Sequence, residues 1–149
     1  MNLDVKLIPS QNGNTVDLPF YATDGSAGMD LSACIDDKVV IKKGEIKLIP
    51  TGIAVSLPSP EYVAYVYARS GLASKKGITL ANCVGVIDSD YRGEIKCALI
   101  NLGTEDFEIN FKDRIAQLVI APVCKVNPVL KDELDSTARG AGGFGSTGV

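Results

Sequence analysis

The sequence predicts an all-β fold, a sandwich or jelly roll, and three observations carry that prediction. Short runs of branched, aromatic or alternating residues recur along the chain. Turn-forming Gly, Pro, Asn and Asp separate them at close intervals, from 15 Gly and 7 Pro in 149 residues. Only one stretch, residues 71–76, reads as helix, which leaves no βαβ layout to build.

The elements follow in order. Residues 3–8 alternate loosely and read as a strand, stopped by Pro9 and a polar loop. Residues 16–26 look irregular, with Pro19 and the turn pair Asp24-Gly25. Residues 27–33 form a compact strand with one carboxylate, Asp30, inside it. Residues 38–42, 45–50 and 51–57 are further strands, divided by Lys43-Gly44 and by Pro50 and Gly52. Residues 61–68 alternate Tyr62, Tyr65 and Tyr67 with small or branched residues, a strong strand pattern. Ser70 is placed to cap the short helix, and Gly77 to end it. Residues 78–84 lead into an expected β-hairpin whose polar tip is Asp88-Ser89-Asp90-Tyr91-Arg92-Gly93. Residues 94–102, 107–111 and 114–123 complete the strands. Beyond Leu134 the core pattern stops, which divides a β domain at 1–134 from a Gly-rich arm at 135–149.

Composition narrows the chemistry. The net charge of −3 provides no basic field for nucleic acid. No apolar run approaches the roughly 20 residues of a bilayer span, so no membrane partner is expected, and a cytoplasmic location is the default. Cys34, Cys83, Cys97 and Cys124 form no paired motif and read as reduced thiols in or near the core. The chain has no His, so Ser-His and Cys-His nucleophiles are excluded and zinc has few ligands. Acid–base work then falls to a carboxylate, Lys, Tyr or Cys.

Five segments carry candidate chemistry. Asp30 in its apolar strand is either a surface group or a group aimed at a site. Arg69-Ser70-Gly71 sets a cation, a hydroxyl and free backbone N–H groups where strand meets helix, suiting either a phosphate or a plain cap. The tip around Asp88 reads as a solvated turn or as a small pocket with Asp88 as base. Gln117 is one amide among apolar neighbours, on the surface or orienting a ligand or water. The tail from Arg139 is a flexible terminus or a phosphate cradle in which Phe144 stacks on a base. It lacks the Gly-Lys-Ser/Thr ending of a P-loop.

Taken in order, these segments resemble the five motifs of the trimeric deoxyuridine triphosphatase (dUTPase) family over nearly the whole chain. They are Ala27-Gly28-Met29-Asp30-Leu31, Arg69-Ser70-Gly71-Leu72-Ala73, Gly85-Val86-Ile87-Asp88 with Tyr91-Arg92-Gly93, Arg114-Ile115-Ala116-Gln117, and Arg139-Gly140 with Gly143-Phe144-Gly145-Ser146-Thr147-Gly148. Met29 stands where an aromatic is common and Ala68 where a proline is common. Neither change removes a functional group.

The resemblance implies a jelly-roll homotrimer with active sites shared between subunits. It implies hydrolysis of dUTP to dUMP and pyrophosphate with Mg²⁺ on the triphosphate. Asp88 would activate the attacking water. Asn82, Gly85 and Ile87 would read uracil, and Tyr91 would lie under the deoxyribose. Arg69, Ser70, Gly71 and Gln117 would position phosphate or water. Arg139, Ser146 and Thr147 would hold the outer phosphates, Phe144 would cover the base, and Gly145 would be a further substrate-binding residue. Asp30 would reach the metal only through water. The arm at 135–149 would be mobile and close the site. Rival readings are a dCTP deaminase-like enzyme of the same fold and a nucleotide-binding regulatory protein.

Overall fold

The computed structural model describes residues 1–143. Among them it forms twelve strands and one helix. In chain order these are β1 (Asp4–Leu7), β2 (Phe20–Tyr21), β3 (Met29–Ser32), β4 (Val39–Ile41), β5 (Ile46–Pro50), β6 (Ile53–Ser56) and β7 (Tyr62–Ala68). They continue with α1 (Ser70–Lys76), β8 (Ile78–Leu80), β9 (Gly85–Ile87), β10 (Lys96–Asn101), β11 (Phe107–Ile109) and β12 (Arg114–Pro122). The all-β expectation with a single helix holds.

Four sheets share the strands, in the orders β2-β3-β12-β7-β9, β5-β10-β8, β1-β6 and β11-β4. Every pairing among the described residues is antiparallel. Alternation turns one side of each strand inward. The inward residues Leu31, Ile41, Ile49, Leu99, Ile115 and Leu118 are all at most 2% exposed and belong to one continuous core. Burying each such side chain contributes about 1.5–3 kcal/mol.

Three local expectations need correction. β2 lies inside the stretch read as irregular. Its two residues are too few to show a period, and it forms by pairing Phe20 with Asp30 and Tyr21 with Met29. Ser70 is not the helix cap: Arg69 occupies that position with extended backbone, and no side chain among the described residues caps the helix. Finally, residues 85–97 do not make a paired hairpin. β9 pairs with β7, whereas β10 lies between β5 and β8 in another sheet. The segment between them crosses from sheet to sheet and is tied down where Ile95 N–H donates to Ile53 O at 2.8 Å. Alternation identifies a strand but not its partner.

Candidate functional site

The Asp88 segment is built by its neighbours. Tyr91 N–H donates to Asp88 O at 3.1 Å, closing a turn. Arg92 Nη1 donates to the carbonyls of Ser89 and Tyr91 at 2.8 and 3.0 Å, so this cation braces the loop from within. The Tyr91 hydroxyl donates to Glu94 O at 3.1 Å. Its ring lies on Gly93 so closely that a Cβ there would stand 2.4 Å from the hydroxyl oxygen. Gly93 is therefore what lets the phenol end of Tyr91 close onto the loop. The result is a cleft of about 290 Å³ lined by Ile87, Asp88, Tyr91 and Glu94, with apolar walls from Leu48 and Val86. Asp88 and Tyr91 border it, Tyr91 exposed and Ile87 half-buried against the core.

β9 forms one wall and is the edge of its sheet, bonded only to β7 among the described residues. Its outward backbone N–H and C=O groups thus have no strand neighbour there. Gly85 faces Val66 across that pair, with Asn82 beside it.

A second group gathers on the same sheet. Gln117 of β12 is opposite Asp30 of β3 on one side and Tyr67 of β7 on the other. Directly opposed residues share a face, so these three form one row. Asp30 is 6% exposed, yet it is a carboxylate. Burial of such a charge requires compensation. Arg69 Nε donates to one oxygen at 3.0 Å and Arg114 Nη1 to the other at 2.9 Å. Arg69 Nη1 also donates to Arg114 O at 3.2 Å. The geometry thus makes Asp30 the anchor of two arginines. Arg114 has no role of its own in the sequence reading. The available signal was its place three residues before Gln117, at a bulge between Arg114 and Ala116 that only the structure reveals.

α1 follows directly. Ser70 and Gly71 are exposed in its first turn. A Cβ at Gly71 would meet nothing within 4 Å. Glycine costs about 1 kcal/mol against alanine inside a helix, and no contact among the described residues requires it here.

The two groups stand apart in one chain. Ile87 pairs with Ala64, so Asp88 leaves the sheet beside Val63. Arg69 lies at the other end of β7, and residues 63 to 69 at about 3.3 Å each span ~20 Å. Arg139 is separate again: its Nε donates to Gly142 O at 2.9 Å in an exposed turn. Phe144, Gly145, Ser146 and Thr147 lie outside the described residues.

The described residues include no group of three or more His, Cys, Asp or Glu side chains able to hold a metal. With both Asp30 oxygens engaged by guanidinium groups, the donor set suits a metal that arrives on a phosphate chain better than one caged by protein. The four cysteines are free: Cys34 and Cys97 are buried, but Cys83 and Cys124 are exposed, which corrects the core assignment for the latter two.

Comparison with known proteins points one way. Residues 14–148 match the dUTPase family model. The deoxyuridine 5'-triphosphate nucleotidohydrolase of Desulfitobacterium hafniense is 53% identical over 148 residues, covering 99% of this chain and 98% of the relative. The dUTPase of Staphylococcus bacteriophage 80alpha, solved with dUPNHPP, superposes with a TM-score of 0.86 at 29% identity, covering 99% of both chains. A point mutant of the dUTPase from phage phi11 of S. aureus, whose structure concerns the coordination of a structural Mg(II) ion, gives 0.78 at 26% identity over 91% of this chain and 100% of the other.

Proposed function

The chain belongs to the dUTPase family, it is a dUTP diphosphatase that yields dUMP, and from that premise we propose how its residues divide the work. The observation that carries the reading is the cleft joining Asp88 to Tyr91 beside an edge strand.

Asp88 is the general base. It takes a proton from a water that attacks the α-phosphorus. The bond from that phosphorus to the bridging oxygen breaks, and pyrophosphate leaves. A carboxylate on an open cleft suits this role in a chain without His. The outward backbone groups of β9, with Asn82, Gly85 and Ile87, read the uracil edge. Their polarity is fixed, so cytosine would leave buried groups unpaired, a large penalty. The Tyr91 ring, closed onto the loop at Gly93, supports the deoxyribose and leaves no room for a 2′-hydroxyl.

Arg69, Ser70, Gly71 and Gln117 hold phosphates or the water. Glycine at 71, which no contact among the described residues explains, permits close approach of a phosphate to backbone N–H. The helix has only seven residues, so individual N–H groups and the Ser70 hydroxyl act here rather than a macrodipole. Mg²⁺ would arrive on the triphosphate as part of the substrate, and its chemistry there would be to spread the charge that develops on the phosphate oxygens. Arg139, Phe144, Gly145, Ser146 and Thr147 belong to a closing arm at 135–149, and the reaction is cytoplasmic.

The active unit is a homotrimer. Two observations support shared sites. The ~20 Å between the Asp88 and Arg69 ends of β7 is too long for both to serve one phosphate group. Phe20, Tyr67 and Val86 are also exposed on the five-stranded sheet, as a subunit contact would require. Mixing two inactive forms, Asp88→Asn and a chain ending at residue 134, tests sharing and the arm together. Activity regained in the mixture supports both, and none regained counts against them.

The reaction is tested by pyrophosphate release from dUTP, dCTP, UTP and dTTP in parallel with Mg²⁺, with ammonia followed in the dCTP sample. Release from dUTP alone is expected. Ammonia from dCTP would move the chain to the deaminase reading.

A further inference from the structure

We propose that Asn101 is a positioning residue for this reaction: it locks the C-terminal end of α1 and so fixes Ser70 and Gly71 at the other end. The inference rests on the reading above that these two hold phosphate.

The lock begins with a buried amide. Asn101 ends β10 and is fully buried. Its Nδ2 donates to Ile41 O and to Glu105 O, both at 2.8 Å, and its Oδ1 accepts from Gly103 N–H at 2.9 Å. Its own N–H donates to Glu45 O at 3.1 Å, and its carbonyl accepts from Gly44 N–H at 2.7 Å. Each polar group of the residue is in use. A buried network so satisfied specifies one arrangement, here the path of the turn after β10.

That turn grips the helix. Leu102 N–H donates to Gly77 O at 2.8 Å. Gly77 is the left-handed C-cap, at φ 69°. A Cβ on Gly103 would stand 2.3 Å from Lys76 O, and one on Gly77 would stand 2.4 Å from Gly103 N. Two backbones therefore touch where the helix ends, with no room for a side chain between them.

The side chains of α1 itself add little. Among the described residues it buries none fully and has no side-chain cap. Of its apolar residues, Leu72 packs partly on the core. A helix of two turns is marginal by itself. Arg69, held on Asp30, fixes the chain where α1 begins; the backbone clamp at Gly77 and Gly103 fixes it where α1 ends, and Asn101 sets that second clamp.

The test uses the full-length protein with Asn101→Ala and, as a milder change, Asn101→Ser, assayed well below their melting temperatures. A misplacement near 1 Å costs up to roughly 100-fold, so Asn101→Ala is expected to lower kcat/KM for dUTP by ~10- to 100-fold. Binding of deoxyuridine, which uses the β9 cleft and no phosphate contact, should change by less than about twofold, as for independent distant sites. Asn101→Ser should fall between the unaltered protein and Asn101→Ala. Equal loss of deoxyuridine and dUTP binding would reveal a merely structural role and overturn the proposal. If neither variant folds, hydrogen exchange on the unaltered protein decides: the amides of Gly77, Leu102 and Gly103 should open together with those of α1, and independent opening would overturn it. Ser70→Ala separates the premise from the inference. No effect of Ser70→Ala on dUTP would remove the phosphate reading itself. A raised KM in Ser70→Ala with normal kinetics in the Asn101 variants would overturn the lock alone.

Discussion

Asp30→Asn is the substitution that most sharply separates an arginine anchor from a metal contact. The Asp30 side chain is 4% exposed, and its partners Arg69 and Arg114 are 26% and 47% exposed. Asparagine is nearly isosteric but neutral. It keeps one carbonyl acceptor and turns an NH2 donor toward a guanidinium. Breaking a fully buried pair costs about 3–5 kcal/mol. Here Arg114 is close to half in water, so part of its loss is recovered by hydration. A cost of ~2–3 kcal/mol follows. At this chain length each kcal/mol lowers the melting temperature by about 2–4 °C, so a fall of ~5–10 °C is expected in calorimetry at neutral pH. KM for dUTP should rise as well, since Arg69 loses its fixed position. An unchanged melting temperature, with only the Mg²⁺ dependence altered, would refute the anchor and return Asp30 to the metal.

Other expectations concern single groups. Asp88→Asn should lower turnover by ~10²- to 10⁴-fold while retaining affinity for a non-hydrolysable dUTP analogue; near-normal turnover removes Asp88 from the base role. A thiol reagent should modify Cys83 and Cys124 in the native protein, and Cys34 and Cys97 only on unfolding, and mass mapping of labelled peptides checks it. Burial pushes the Cys97 thiol up to about 12 from 9.0. The unfolded chain therefore ionises first, and stability should fall as pH rises above 9.0, less so in Cys97→Ala; equal alkaline slopes for both would contradict this. Asp36 is held below its usual 3.8, chiefly by the Ser10 hydroxyl and also by Asn12 N–H and the Asn14 amide. A depressed carboxylate stabilises above the unfolded value, so this contribution is complete above pH 3.8 and lost as pH falls through the lower folded value. Asp36→Asn should flatten the acid limb of the stability curve, and an unaltered limb would remove the Ser10 loop as its cause.

Much of this protein was legible in the sequence because the signals were local. The branched and aromatic run Tyr62–Ala68, with its alternation at Tyr65, Val66 and Tyr67, and turn residues such as Gly44 and Gly77, depend only on neighbours along the chain. So did the candidate site: Asp88 with Tyr91, and Arg69 with Ser70 and Gly71, are short spacings that the motif order made specific. What the tertiary structure alone decided was pairing across long separations. Alternation could not tell that β9 joins β7 while β10 joins β5 and β8, because any strand of suitable pattern satisfies a neighbour's backbone. It could not bring Asp30 to Arg69 and Arg114, residues 39 and 84 positions away, or show that the carboxylate is buried by being paired. It also could not reveal Asn101, whose three side-chain hydrogen bonds close only when β4, β10 and the following turn have met. Local chemistry names the candidate groups, and burial with long-range hydrogen bonding decides which of them are held and which hold others in place.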